Sequence, residues 1–256
     1  MLNLIHEELY KLFHKKGTYF GLAAIFIVQI AIAILAKKAP TFMSPEGALS
    51  VSFLGESIAL FVMIAAAASI IAMEFQYGTI RQLLYRKYYR SQVFISKLIV
   101  IVLHAVVLYV LQFGMSLLLK VILFPKVDLG KQVGHGRTLL ENLTLSTLGQ
   151  FVGVLLLLSI VVLLATMLKN NAVAITVGYI GYFVIELAAS FLLILITKWD
   201  WVKWNPFTML LFGNQLTEPA MHVMTKLTTM QLGFGSALYT VAFTFIAYAL
   251  FRRRNV

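Results

Sequence analysis

Six stretches of about twenty residues, each almost free of charge, dominate this chain. They fall at residues 19–36, 51–73, 98–119, 148–168, 172–196 and 232–251. A helix rises about 1.5 Å per residue, so each stretch is long enough to cross a hydrocarbon layer of about 30 Å. Hydrocarbon offers no water to unpaired backbone groups, so a spanning segment must be a helix or part of a closed barrel. Barrel strands alternate apolar and polar residues, whereas Val154, Leu155, Leu156, Leu157 and Leu158 do not alternate. The pattern predicts an all-α integral membrane fold of six transmembrane helices in a single domain over residues 1–256. Composition agrees, with 61% apolar and 12% charged residues against about 45–50% and about 25% in soluble domains.

The net charge of +11 would suggest nucleic acid in a soluble protein. Here the basic residues flank apolar spans, and no basic–aromatic groove predicts nucleic-acid binding. With both termini cytoplasmic, twelve Lys and Arg fall inside and nine outside, the latter spread over longer loops. Arg252, Arg253 and Arg254 anchor the C-terminus inside, and an even number of helices then puts the N-terminus inside too. A plasma-membrane, multi-pass location is expected. Lys37 and Lys38 stand where a signal-peptide cleavage site would need small residues, so the first span is read as retained. The absence of cysteine excludes disulfides, thiol nucleophiles and cysteine–metal sites.

Residues 1–18 precede the first span. Ile5, Leu9, Leu12 and Phe13 recur at helical spacing, with Glu7, Glu8 and Lys11 largely on the other side. This predicts an amphipathic helix lying in the inner interface, with a helix packed on the protein's own cytoplasmic side as the alternative. The last external loop, residues 197–229, opens with Trp199, Trp201 and Trp204, as an aromatic belt would. Asn205 and Pro206 then break the chain. The apolar run from Phe207 to Phe212 is too short to cross and reads as a re-entrant or surface helix. Gly149 and Gly153 have the spacing of a close helix contact, and Ala65 to Ser69 thin the second span.

Three polar groups within the spans are candidate pathway or interhelix residues: Glu56, His104 and Glu186. An ionisable group at mid-helix costs at least about 2.5–3.5 kcal/mol, so such groups normally face protein or water. Gly178, Tyr182 and Glu186 fall on one stripe. Glu56 lies about two turns inside the outer end of its span, within reach of headgroups or vestibule water. The duller reading of His104 is a neutral ring hydrogen-bonded to a neighbouring helix.

The cytoplasmic loop of residues 74–91 is the most informative segment. Gly78 permits a sharp turn, and Thr79 with Gln82 has the spacing of a capping box, so a helix is expected from about Ile80. Ile80, Leu83, Leu84 and Tyr88 share a face, and the arginines fall largely elsewhere. Glu74, Gly78, Thr79, Arg81 and Leu84 resemble the E-x-x-x-G-T-x-R pattern, followed by leucine, of ABC-2 type permeases. The pattern stands where that family has it, just after the second of six helices. The amphipathic N-terminus and long last external loop also resemble the family. The chain departs from it after the motif, where Arg86, Lys87, Tyr88, Tyr89 and Arg90 replace a proline-bearing turn.

The resemblance implies a transport subunit rather than an enzyme. It implies a permease of an ATP-driven exporter, paired with a second permease as homodimer or heterodimer. Two copies of a separate ATPase would bind the ATP and Mg, and this chain would bind no cofactor. Glu74, Gly78, Thr79, Arg81, Leu84 and Tyr85 would form the ATPase-coupling site. The substrate would be a peptide, an antimicrobial or a lipid-like molecule. The sequence holds no G-x-x-x-x-G-K-[ST] phosphate loop, no H-E-x-x-H metal site and no G-x-S-x-G nucleophile elbow, so it offers no catalytic or metal residues. An ATP-independent carrier or channel is the alternative.

Overall fold

The computed structural model describes residues 1–78, 88–133 and 136–254, with Ser190 through its backbone alone. Helix α1 spans Leu2–His14 and α2 spans Lys16–Lys38. The short α3 (Pro45–Ser50) precedes α4 (Gly55–Gln76). Then come α5 (Arg90–Leu123), α6 (Leu139–Met167) and α7 (Asn171–Lys198). Three short helices follow: α8 (Pro206–Met209), α9 (Phe212–Thr217) and α10 (His222–Thr225). Helix α11 (Thr229–Arg253) closes the fold. Six of these, α2, α4, α5, α6, α7 and α11, are long and apolar enough to cross a membrane, and the chain is a multi-pass membrane protein.

Every expected span is present, and most helices outrun their apolar stretch. Helix α6 begins nine residues earlier than its apolar run because Thr138 and Glu141 form a reciprocal cap, each side chain bonded to the other's backbone N–H. The added turns carry Ser146 and Thr147, which are buried in protein rather than lipid. Helix α5, with 34 residues, is about 51 Å long and projects well beyond a 30 Å layer.

Helices α4, α5 and α6 form the centre, with half or more of each apolar window buried (50%, 56% and 50%). Helices α2, α7 and α11 lie on the rim with 22%, 18% and 22% buried. The core joins Met63, Ile64, Ala67 and Ala68 of α4 to Phe94 and Ile101 of α5 and to Leu158 and Val161 of α6. The small residues of α4 let its neighbours approach closely, as expected of the Ala65 to Ser69 segment.

The segment after Trp204 folds back against α11. Asn205 Oδ1 accepts from the N–H groups of Phe207 and Thr208 at 2.8 and 3.0 Å, starting α8 at Pro206. Ser236 Oγ donates to Met209 O at 2.9 Å. Ser236 lies seven residues into α11, so Met209 sits about 10 Å below the start of that helix. Gly149 of α6 meets Gly213 of α9 backbone to backbone. A Cβ on Gly149 would stand 2.7 Å from the Cα of Gly213. The predicted small-residue contact is therefore made within this chain, against the loop helices.

Candidate functional site

The end of the bundle that carries both termini is organised around the last turn of α4. Glu74 is buried there, and its Oε1 accepts from Lys97 Nζ at 3.1 Å and from Lys11 Nζ at 2.9 Å. Glu8 of α1 completes the set, accepting from Lys97 at 2.8 Å on Oε2 and from Lys11 at 2.8 Å on Oε1. Lys97 is fully buried. Among the described residues, two cations and two carboxylates thus meet in a pocket where an unpaired charge would be costly. Burial works against the Lys11 ammonium, but its hydrogen bonds and charge pairing with Glu8 and Glu74 outweigh it and hold its pKa above 10.5.

The two residues after Glu74 are tied as well. The Arg254 guanidinium lies 3.7 Å from the centre of the Phe75 ring and donates to the carbonyls of Thr166 and Leu168 at the end of α6. Arg90, at the start of α5, donates to the carbonyls of Arg252 and Arg254 at 2.7 and 2.8 Å. Gln76 Oε1 accepts from the backbone N–H of Asn171 at the start of α7 at 2.8 Å. Residues 74–76 are therefore held by α1, α5, α6, α7 and the C-terminal tail. Gly78 follows with φ +65°, the left-handed turn its sequence position called for. Thr79, Arg81, Leu84 and Tyr85, and the helix expected from Ile80, lie outside the described residues.

The structure corrects which face of α1 is buried. Its buried stripe is Leu4, Glu8 and Leu12, packed on the bundle, so Glu8 faces protein rather than water. Leu2, Tyr10 and Phe13 face outward. Hydrophobic periodicity hid this, because a carboxylate in an ion pair occupies a core position as an apolar residue would. Lys97, one of the twelve basic residues on the side of the termini, is hidden from sequence for the same reason. The available signal was a lysine beside a span with Glu74 at the end of the preceding one.

At the opposite end, Glu56 occupies a second buried polar site. Helix α4 starts at Gly55, so Glu56 is in its first turn, not two turns deep. It is 8% exposed and accepts from Ser52 Oγ at 2.6 Å, Thr147 Oγ1 at 2.8 Å and Ser146 Oγ at 3.1 Å. Headgroup contact is thereby replaced by protein hydroxyls. Ser52, Phe53 and Leu54 have φ of 51°, 48° and 63°, three successive non-glycine residues in a region that costs about 1–2 kcal/mol each. Gln29 Nε2 donates to Ser52 O, Gln112 O and Ser116 Oγ and pins this turn to α2 and α5. Gln29 and Gln112 were not singled out from sequence.

His104 is buried, and neither ring nitrogen has a hydrogen-bond partner among the described residues, so the expected interhelical bond is not seen. The α7 stripe divides. Gly178 packs on Ile64 and Tyr182 on the edge of Phe61, while Glu186 lies on the exposed flank. Glu74, Glu56, His104 and Glu186 are not brought together. Among the described residues no group of three or more His, Cys, Asp or Glu side chains could hold a metal.

A family model described as "Protein of unknown function (DUF2705)" matches residues 24–256. The chain belongs to this family. Two proteins of Bacillus subtilis (strain 168) are similar to this DUF2705 chain. "Uncharacterized membrane protein YdbK" is 32% identical over 210 residues, covering 80% of each chain. "Uncharacterized protein YhcI" is 23% identical over 322 aligned residues, covering 100% of this chain and 99% of the relative. The first agrees with the membrane character of the six long helices.

Proposed function

We propose that this chain is the permease subunit of an ATP-driven exporter of the ABC-2 type, set in the plasma membrane with both termini cytoplasmic. The observation that carries the reading is the clamping of residues 74–76 at the base of the Gly78 turn. A force applied beyond Gly78 reaches α1 and α5 through Glu74, α6 and the C-terminal tail through Phe75, and α7 through Gln76. Packed elements with hydrogen-bonded junctions move as bodies rather than deform. A soluble ATPase docked on this loop would therefore shift the helix bundle. Nucleotide and Mg belong to that partner.

The working unit holds two permeases. Each chain offers one loop of residues 74–91, and two ATPases need two such loops. The test is co-expression with an ATPase encoded beside this chain. Co-purification in detergent and ATP-dependent export support the proposal. Transport in vesicles that lack the ATPase and ATP would instead favour an ATP-independent carrier.

A further inference from the structure

Helices α5 and α6 part near the end opposite the termini, and a groove of about 280 Å³ opens between them. Val106, Tyr109, Val110 and Phe113 line one side, and Thr144, Thr147, Leu148 and Phe151 the other. Val110 and Leu148 are exposed on its rim, so it opens sideways toward the membrane. Its two threonine hydroxyls are engaged elsewhere: Thr147 donates to Glu56 and Thr144 to the carbonyl of Leu140, each at 2.8 Å. The groove therefore presents carbon. Thr144 also borders a second, wider depression of about 580 Å³, which includes Arg137, Leu140 and Glu141.

The two hollows run along one face of α6 from Leu140 to Phe151, about 16 Å, or half of a 30 Å hydrocarbon layer. They are apolar at depth and charged at the mouth. Arg137 uses one Nη to donate to Leu216 O at 2.6 Å, and Glu141 Oε2 accepts from the Thr138 N–H at 2.8 Å. Arg137 precedes the cap of α6 and Glu141 lies in its first turn, close enough for the Arg137 charge to act on the Glu141 carboxylate.

We propose that this groove binds one phospholipid with a phosphoethanolamine head, from the leaflet opposite the termini. One acyl chain fills the hollow between Val106 and Phe151. The phosphate meets Arg137 and the primary ammonium meets Glu141. A phosphatidylglycerol head offers Glu141 only a neutral hydroxyl where phosphatidylethanolamine offers an ammonium, and a choline head has no N–H to donate to it. The site requires no ATPase and stands apart from the export proposal.

The test uses the full chain purified in mild detergent, with retained lipid read by native mass spectrometry. Equimolar phosphatidylethanolamine and phosphatidylglycerol are then added back in mixed micelles. The wild type should retain phosphatidylethanolamine in preference. Arg137→Gln should weaken that retention about tenfold, as expected for loss of one charged hydrogen bond. Leu148→Trp and Val110→Trp fill the groove from its exposed rim, so the core is untouched, and both should abolish retention while circular dichroism stays unchanged. Equal retention of the two lipids by the wild type overturns the headgroup assignment. Retention unchanged in both tryptophan variants overturns the groove, as does a dimer that those variants dissolve without any loss of lipid.

Discussion

Lys97→Met tests the ion cluster that docks α1. Among the described residues, the wild type sets two ammonium groups against two carboxylates, with Lys97 fully buried and the Lys11 side chain 49% exposed. Removing one partner of a buried pair costs about 3–5 kcal/mol, because the remaining charge loses its compensation without regaining water. After Lys97→Met, Lys11 still neutralises one carboxylate at 2.8–2.9 Å, which puts the loss near the lower end, about 3 kcal/mol. Glu8→Leu alone leaves Lys97 facing Glu74 and should cost a similar amount. The double variant keeps a balanced Lys11–Glu74 pair and an apolar substitute for the rest, so it should fall within about 1 kcal/mol of wild type. Unfolding in mixed micelles gives the free energies, and the cycle gives the coupling. A second readout uses the absence of native cysteine. A Leu4→Cys probe, buried at 1% exposure, should resist a water-soluble maleimide in the balanced background and react with it in either single variant. Additive single losses with Leu4→Cys protected throughout would refute the reasoning.

The remaining expectations concern the other end and the solvent. Glu56→Leu strands three buried hydroxyls and releases the left-handed turn at Ser52 to Leu54; it should destabilise by at least about 2–3 kcal/mol, with Glu56→Gln milder, in the same unfolding assay. Gly149→Val drives a side chain into the Gly213 backbone and should cost about 1–3 kcal/mol or more, seen also as protease cleavage within residues 205–228. The folded-state pKa of Lys11 is raised, so its contribution is complete below about 10.5 and falls only as pH rises through the still higher folded value. Maleimide protection of the Leu4→Cys probe should accordingly show no loss traceable to Lys11 between neutrality and about pH 10.

The six spans were legible because twenty uncharged residues have few alternatives in a chain this apolar, and the start of a short helix after the last long loop's aromatic stretch followed from Asn205 and Pro206. Helix ends were less so. The start of α6 depends on the Thr138–Glu141 cap and on partners for Ser146 and Thr147 that only tertiary structure supplies. The docking of α1 was hidden because Glu8 and Lys97 meet from 89 residues apart, and each alone resembles a surface charge. Three left-handed residues at 52–54 carry no glycine signal; the turn is imposed by Gln29, Gln112 and Ser116 around it. Glu74 was singled out by its place in a motif; among the described residues it bonds to Lys11 and Lys97, which fasten the loop base to α1 and α5.

The most direct measurement of the coupling account is ATP-dependent export by the full chain with its partner ATPase in proteoliposomes, compared between wild type and Gly78→Val. Valine at φ +65° is strained by about 1–2 kcal/mol and must re-aim the chain beyond it. The account predicts that Gly78→Val inserts and folds normally but loses export, with ATP hydrolysis either no longer stimulated by the permease or uncoupled from substrate movement. Wild-type export and wild-type ATPase stimulation in that variant, or an export activity that never requires the ATPase, would contradict it.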